Sequence, residues 1–176
     1  EKIMNCVFEL WAEILPERAM ACTFNLEYLL IGGRDTRYAE KPYFMWYDWM
    51  VGGWGARNGK DGWAATGPVF GVQLGTQPFE GQERLSPVLT TGHELRVDSG
   101  GPGEFRGGMG VEKGGTLYAC ERTVVSYCCD RERSVTWGLW GGLPSIPHGV
   151  WVNPGKENER YLGSLFSGVP LYQGDT

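Results

Sequence analysis

Histidine is almost missing from this chain: His93 and His148 are the only two, widely separated in sequence. That scarcity excludes a local histidine-based metal motif, and each ring is expected to have a structural or exposed role. The five cysteines, Cys6, Cys22, Cys120, Cys128 and Cys129, are odd in number and contain no C-x-x-C pair. A disulfide or zinc framework is therefore not expected. Neighbouring Cys128 and Cys129 would point to opposite faces of a strand and make poor co-ligands. Buried free thiols are the reading, which fits a reducing cytoplasm. Positive charge is in deficit, with 16 Lys and Arg against 21 Asp and Glu, a net charge of −5. This leaves no cationic footprint for nucleic acid. No apolar run approaches the roughly 20 residues that span a bilayer. Nor is there an internal repeat or a Pro/Gly/Ser linker to divide the 176 residues. The chain opens on Glu1 with no legible secretory leader, so a processed, split or partial polypeptide is expected.

Several catalytic motifs are also missing. A P-loop needs a glycine five positions before its Gly-Lys pair and Ser or Thr after it. Around Gly59-Lys60 those positions hold Trp54 and Asp61. The dinucleotide fingerprint begins at Gly101-Pro102-Gly103 and fails at Arg106, where its third glycine belongs. No G-x-S-x-G elbow occurs, and Ser99 is read as a turn residue.

What the chain has is glycine, 28 of them, with 41% hydrophobic residues and eight tryptophans that promise a packed interior. Three dense blocks stand out: GGWGARNGKDG at 52–62, DSGGPGEFRGGMG at 98–110 and WGLWGG at 137–142. Interleaved Trp, Phe and charge mark ordered loops, since flexible linkers lack such residues. Glycine suits positive φ or close backbone approach. Exposed backbone N–H groups in the first block can form an anion-binding concavity, with Arg57 and Lys60 adding charge. The plainer reading is a tight inter-strand loop with Asp61 holding its turn. The second block carries the same ambiguity, because Arg106 can pair with Asp98 or Glu104.

Ile3, Val7, Leu10 and Ile14 recur at helical spacing, with Phe8 and Trp11 widening the face. One amphipathic helix packed on a sheet is predicted, ending before Pro16. Strands are predicted at 43–51 (buried, aromatic), 94–98, 117–127, 149–152 and 161–166. Turn signals fall at Gly32-Gly33, Gly114-Gly115 and Pro154-Gly155. The aromatic run Phe44, Trp46, Tyr47 and Trp49 serves either core packing or a ligand pocket. The fold class is α+β: a β-rich mixed unit with an N-terminal amphipathic helix. No complete catalytic apparatus is present, so the chain is either a binding or structural element or relies on groups from other polypeptide.

The three glycine blocks, in this order, resemble the hydantoinase B/oxoprolinase family. Its pattern reads G-G-W-G-A/G-R-P-G-K-D-G, D-S-G-G-P/A-G-x-x-R-G-G-x-G, and D-R followed by W-G-L-F-G-G. Asn58 stands for the proline and Trp140 for the phenylalanine, while Asp130-Arg131 precedes the third block as in the family. Pro16-Glu17-Arg18 near the start and Leu171 with Gly174-Asp175 near the end also match. Residues 71–76 stand where relatives carry an Asn-rich stretch, and the chain ends at Thr176 before the family's last glycine-rich segment. The resemblance implies that residues 1–176 are the C-terminal portion of a B-type subunit within a larger multi-domain assembly. It implies a hydantoinase A-like ATPase partner that binds ATP and magnesium and phosphorylates a carbonyl or enolate oxygen. The remainder of the B-type subunit and a small-molecule substrate are the other implied partners. No metal is assigned to this chain, and any divalent ion is expected in the N-terminal part or a neighbouring chain. Hydrolysis of a cyclic amide of the hydantoin or 5-oxoproline type is the first expectation. Carboxylation of a ketone (acetone or acetophenone) is the second, and a noncatalytic assembly scaffold the third. Activity is not expected from the chain alone. Under the resemblance, Arg57, Lys60, Asp61, Asp98 and Arg106 are contact candidates for substrate or a phosphorylated intermediate. Gly52, Gly53, Gly55, Gly100, Gly101, Gly103, Gly107 and Gly108 are the structural glycines of the loops.

Overall fold

The computed structural model describes residues 1–25, 27–68 and 75–176. Helix α1 spans Lys2–Ile14 and closes with a 3-10 turn at Pro16–Arg18. Strands β1 (Glu27–Asp35) and β2 (Tyr43–Met50) precede a short helix α2 (Phe79–Leu85). Then come β3 (Val88–Leu95), β4 (Val111–Leu117), β5 (Cys120–Cys128), β6 (Val150–Val152), β7 (Arg160–Gly163) and β8 (Leu165–Leu171). One antiparallel sheet has the order β2-β1-β5-β8, and β3-β4 and β6-β7 form two separate ribbons. Ile31, Phe44, Trp46, Val88, Leu117, Cys120, Val125, Val152 and Leu171 pack into one core drawn from all three. The α+β architecture with its N-terminal helix is as the sequence predicts.

Several local expectations change. The predicted buried strand at 43–51 is one-sided, with Phe44, Trp46 and Asp48 turned in and Tyr43, Met45 and Tyr47 turned out. Tyr28, Leu30 and Val124 share that exposure on neighbouring strands, leaving an uncovered apolar face on the main sheet. Gly32-Gly33 lies inside β1, at a register shift against β5, and not in a turn. Gly114-Gly115 is likewise inside β4. Glycine in a strand admits a bulge or a close neighbour, and so mimics a turn signal. The strand predicted at 117–127 is β5, which begins three residues later, at Cys120, because Leu117 still closes β4, and the one placed at 94–98 ends at Leu95. The strand at 161–166 is divided between β7 and β8. Helix α2 is not among the elements predicted from the sequence.

Helix α1 also turns a different face inward. Asn5, Phe8 and Ala12 are buried, whereas Ile3, Leu10, Trp11 and Ile14 are exposed. The orientation is set by polar contacts: Asn5 Oδ1 accepts from Thr23 N at 3.0 Å and Thr23 Oγ1 at 3.1 Å. At the first turn, Lys2 pairs with Asp130 at 2.9 Å. A buried side-chain amide must be hydrogen-bonded, so these partners fix the helix rotation. All five cysteines are free; Cys22, Cys120 and Cys129 are buried, and Cys6 and Cys128 exposed. No helix among the described residues is long and apolar enough to cross a membrane.

Candidate functional site

The three glycine blocks converge. Trp54 N in the first block donates to the O of Trp63, just beyond it, at 2.9 Å, and Gly108 N from the second donates to Trp54 O at 2.9 Å. Gly62 N donates to Arg106 O at 2.8 Å, and Asp61 Oδ1 accepts from Arg106 N at 2.7 Å. The segment that follows the third block ties it to the second through Leu143 N to Pro102 O, 2.8 Å, and Ile146 N to Ser99 O, 3.3 Å. Backbones meet where side chains normally stand. A Cβ on Gly53 would lie 1.9 Å from Gly108 O, and one on Gly101 would lie 2.3 Å from Leu143 O. Neither glycine has positive φ; close approach is the requirement here.

The loops wall a cavity of about 500 Å³, a size suited to a small molecule. All eight glycines singled out in the sequence line it, as does Arg57. The other four polar candidates lie outside it. Arg106 pairs with Asp98 at 2.7 Å in an exposed ion pair, one of the two arrangements open from sequence. Asp61 anchors the Arg106 backbone, and Lys60 closes a hairpin with Arg57 through paired backbone bonds of 2.9 and 3.1 Å. The Arg57 guanidinium lies 5.0 Å from the centre of the Trp63 ring. That contact orients the charge beside the cavity.

The structure adds residues that no local pattern announced. Arg96, Arg131, Glu27 and His148 also line the cavity. Arg131 is buried, its Nη2 donating to Thr23 O at 2.7 Å and to Asn25 Oδ1 at 3.1 Å. Arg96 Nη1 donates to Pro147 O at 3.0 Å and holds the segment carrying His148. Three arginines therefore face two carboxylates, Glu27 and Glu104, giving the lining a surplus of positive charge.

Glu27 begins β1 and is buried beside β5. The Tyr127 hydroxyl donates to Glu27 Oε2 at 2.8 Å and lies 2.6 Å from His148 Nε2. Cys129 Sγ donates to Glu27 Oε1 at 3.2 Å, and His148 Nδ1 lies 3.7 Å from the same oxygen. The Tyr127 and His148 rings stack with centroids 5.3 Å apart. Burial lowers the His148 pKa, against the opposing pull of Glu27, and so favours a neutral imidazole. Burial, reinforced by the Glu27 charge, raises the pKa values of Tyr127 and Cys129. The cluster is thus a carboxylate surrounded by a phenol, a thiol and a neutral imidazole, a set able to hold or relay protons. Sequence reasoning missed it because Tyr127 and Cys129 lie 100 and 102 positions from Glu27.

A β-rich unit whose interlocked glycine loops enclose a charged cavity is the class of protein that this geometry defines. The chain belongs to the hydantoinase B/oxoprolinase family, whose model matches residues 1–176. It is 24% identical over 157 residues to the B subunit of a putative D-/L-hydantoinase from Pseudomonas sp. (strain NS671), a match covering 89% of this chain and 25% of that protein. Identity reaches 40% over 99 residues with the beta subunit of caprolactamase from Pseudomonas jessenii, covering 54% of this chain and 17% of the relative. The acetone carboxylase alpha subunit of Xanthobacter autotrophicus is 26% identical over 160 residues, covering 91% of this chain and 20% of its own length. The chain thus spans a quarter or less of these relatives. A nucleotide-free acetone carboxylase structure shares the fold with a TM-score of 0.64 at 20% identity, covering 81% of this chain and 19% of that one.

Proposed function

We propose that this chain is the C-terminal portion of a B-type subunit in a cytoplasmic, ATP-dependent hydrolase of cyclic amides, and that it shapes the substrate chamber. The observation that carries this reading is the cavity walled by all three family blocks, with Arg57, Arg96 and Arg131 at its edge. Arginines and backbone N–H groups fixed before reaction stabilise developing oxyanions and phosphorylated oxygens better than mobile water does. Two relatives named for hydantoin and caprolactam chemistry favour a cyclic amide substrate. ATP and magnesium belong to an A-type ATPase partner, consistent with the missing P-loop. The uncovered face of β1, β2 and β5 and the outward apolar residues of α1 suit contact with the rest of such an assembly.

A second reading is the same part of an ATP-dependent ketone carboxylase, favoured by the similarity of an acetone carboxylase subunit over 91% of this chain and by the shared fold of an acetone carboxylase structure. Reconstitution of the full subunit with its ATPase partner separates the two. ATP turnover should rise with hydantoin, 5-oxoproline or caprolactam under the first reading, and with acetone or acetophenone plus bicarbonate under the second. Turnover stimulated by none of them would remove both and leave the scaffold.

A further inference from the structure

We propose that Glu27, Cys129 and His148 bind one divalent ion of the zinc type at the edge of the glycine-walled cavity. Their ligand atoms all lie within 4.8 Å of one another. Two of the separations, 3.2 Å from Cys129 Sγ to Glu27 Oε1 and 3.7 Å from His148 Nδ1 to the same oxygen, have the scale of a tetrahedral edge. Zinc bonds of about 2.0–2.3 Å place neighbouring ligand atoms of a tetrahedron roughly 3.3–3.8 Å apart. The mixture of thiolate, imidazole and carboxylate suits zinc and disfavours calcium or magnesium, which prefer oxygen alone.

Charge points the same way. Glu27 is only 6% exposed, and among the described residues no Lys or Arg lies within ion-pair distance of it. Buried carboxylates are normally paired or coordinated to metal. Tyr127 already holds two of the ligands as a metal site requires. With the ion on His148 Nδ1, Nε2–H donates to the Tyr127 hydroxyl, and that hydroxyl donates to Glu27 Oε2. Such a partner fixes the imidazole tautomer and the carboxylate orientation together. The Arg131 backbone N–H, 3.4 Å from Cys129 Sγ, is placed to donate to a thiolate.

Binding expels the Cys129 thiol proton to solvent. The resulting thiolate and the Glu27 carboxylate neutralise the two positive charges of the ion. Three protein ligands leave a fourth position. Because Glu27 and His148 line the cavity, that position opens toward it, where water or a carbonyl oxygen can bind. These side chains suffice to hold the ion whichever substrate the assembly takes.

The test uses the whole chain titrated with Zn²⁺ against a chromophoric chelator, and separately with Co²⁺. One equivalent of Zn²⁺ should bind. Cys129→Ser and His148→Asn should each weaken binding at least tenfold, and Tyr127→Phe about tenfold, whereas Cys128→Ser should change nothing. Bound Co²⁺ should show a near-ultraviolet thiolate charge-transfer band that Cys129→Ser abolishes. Failure to bind one equivalent, or binding unchanged in Cys129→Ser, would overturn the site. So would Co²⁺ bound to the unaltered chain without a sulfur band, a result that does not depend on any variant folding.

Discussion

The backbone of Gly53 rests against the carbonyl of Gly108, so closely that a Cβ added to Gly53 would stand only 1.9 Å from that oxygen. This contact joins two family blocks and forms part of the cavity wall. Gly53→Ala should therefore force the blocks apart and cost about 3 kcal/mol, toward the upper end of typical overpacking penalties. Gly59 is the contrasting case, at φ 77 with nothing within 4 Å of its Cβ position. Gly59→Asn should cost under ~1 kcal/mol, because Asn tolerates the left-handed region. Urea unfolding of both variants tests the distinction; equal costs would refute it.

Asp48 and Lys113 form an ion pair buried on both sides, with the Lys113 ammonium 5.1 Å from the Phe79 ring centre and 5.6 Å from that of Trp46. Removing one partner strands a charge in the core. Lys113→Ala or Asp48→Ala should destabilise by about 3–5 kcal/mol, while Asp48→Leu with Lys113→Met should recover much of that loss. A double-mutant cycle of Asp48→Leu, Lys113→Met and the two together measures the coupling. Additive losses would mean that the pair is not coupled.

Asp35 is buried and accepts Arg37 Nε at 2.9 and 3.0 Å and Nη2 at 2.6 Å. Hydrogen bonding from Arg37 lowers the Asp35 pKa despite the opposing effect of burial. A carboxylate with a depressed folded-state pKa stabilises the fold above its unfolded value, about 3.9, and loses that contribution as the pH falls further. Stability should thus decline below roughly pH 4, and Asp35→Asn should flatten this part of the curve. Urea midpoints measured between pH 7 and pH 3 decide it; an unchanged slope would exclude Asp35 as a source.

Arg57 and Arg106 have similar sequence settings and different positions. Arg106 is half exposed and pairs with a still more exposed Asp98. Arg106→Ala should change stability by less than ~1 kcal/mol and leave the turnover of the reconstituted complex intact. Arg57 borders the cavity, and Arg57→Ala should reduce turnover about a hundredfold, as loss of a preorganised donor does. Normal turnover in Arg57→Ala with normal assembly would favour the scaffold reading.

The glycine blocks illustrate how far a sequence carries. Their spacing identified the family and the loops, because close backbone contacts require glycine at particular positions. It did not say which charged neighbours turn inward. Arg57 and Lys60 are three positions apart in one hairpin, yet only Arg57 reaches the cavity. Helix α1 teaches the same lesson, since its period was legible while the buried face was set by Asn5 bonding to Thr23. Strand glycines at 32–33 and 114–115 read as turns because local propensity cannot register a partner strand.

Composition and short-range pattern determined the class of this protein: a β-rich unit with ordered glycine loops, family membership, and neither a P-loop nor a dinucleotide fingerprint. Tertiary structure alone decided the chemistry at the cavity edge, where β1 and β5 pair and bring Tyr127 and Cys129 beside Glu27 across about a hundred residues. The reason is that hydrophobic periodicity and backbone geometry act over a few residues. Strand pairing and buried hydrogen bonds join positions with no local trace of one another.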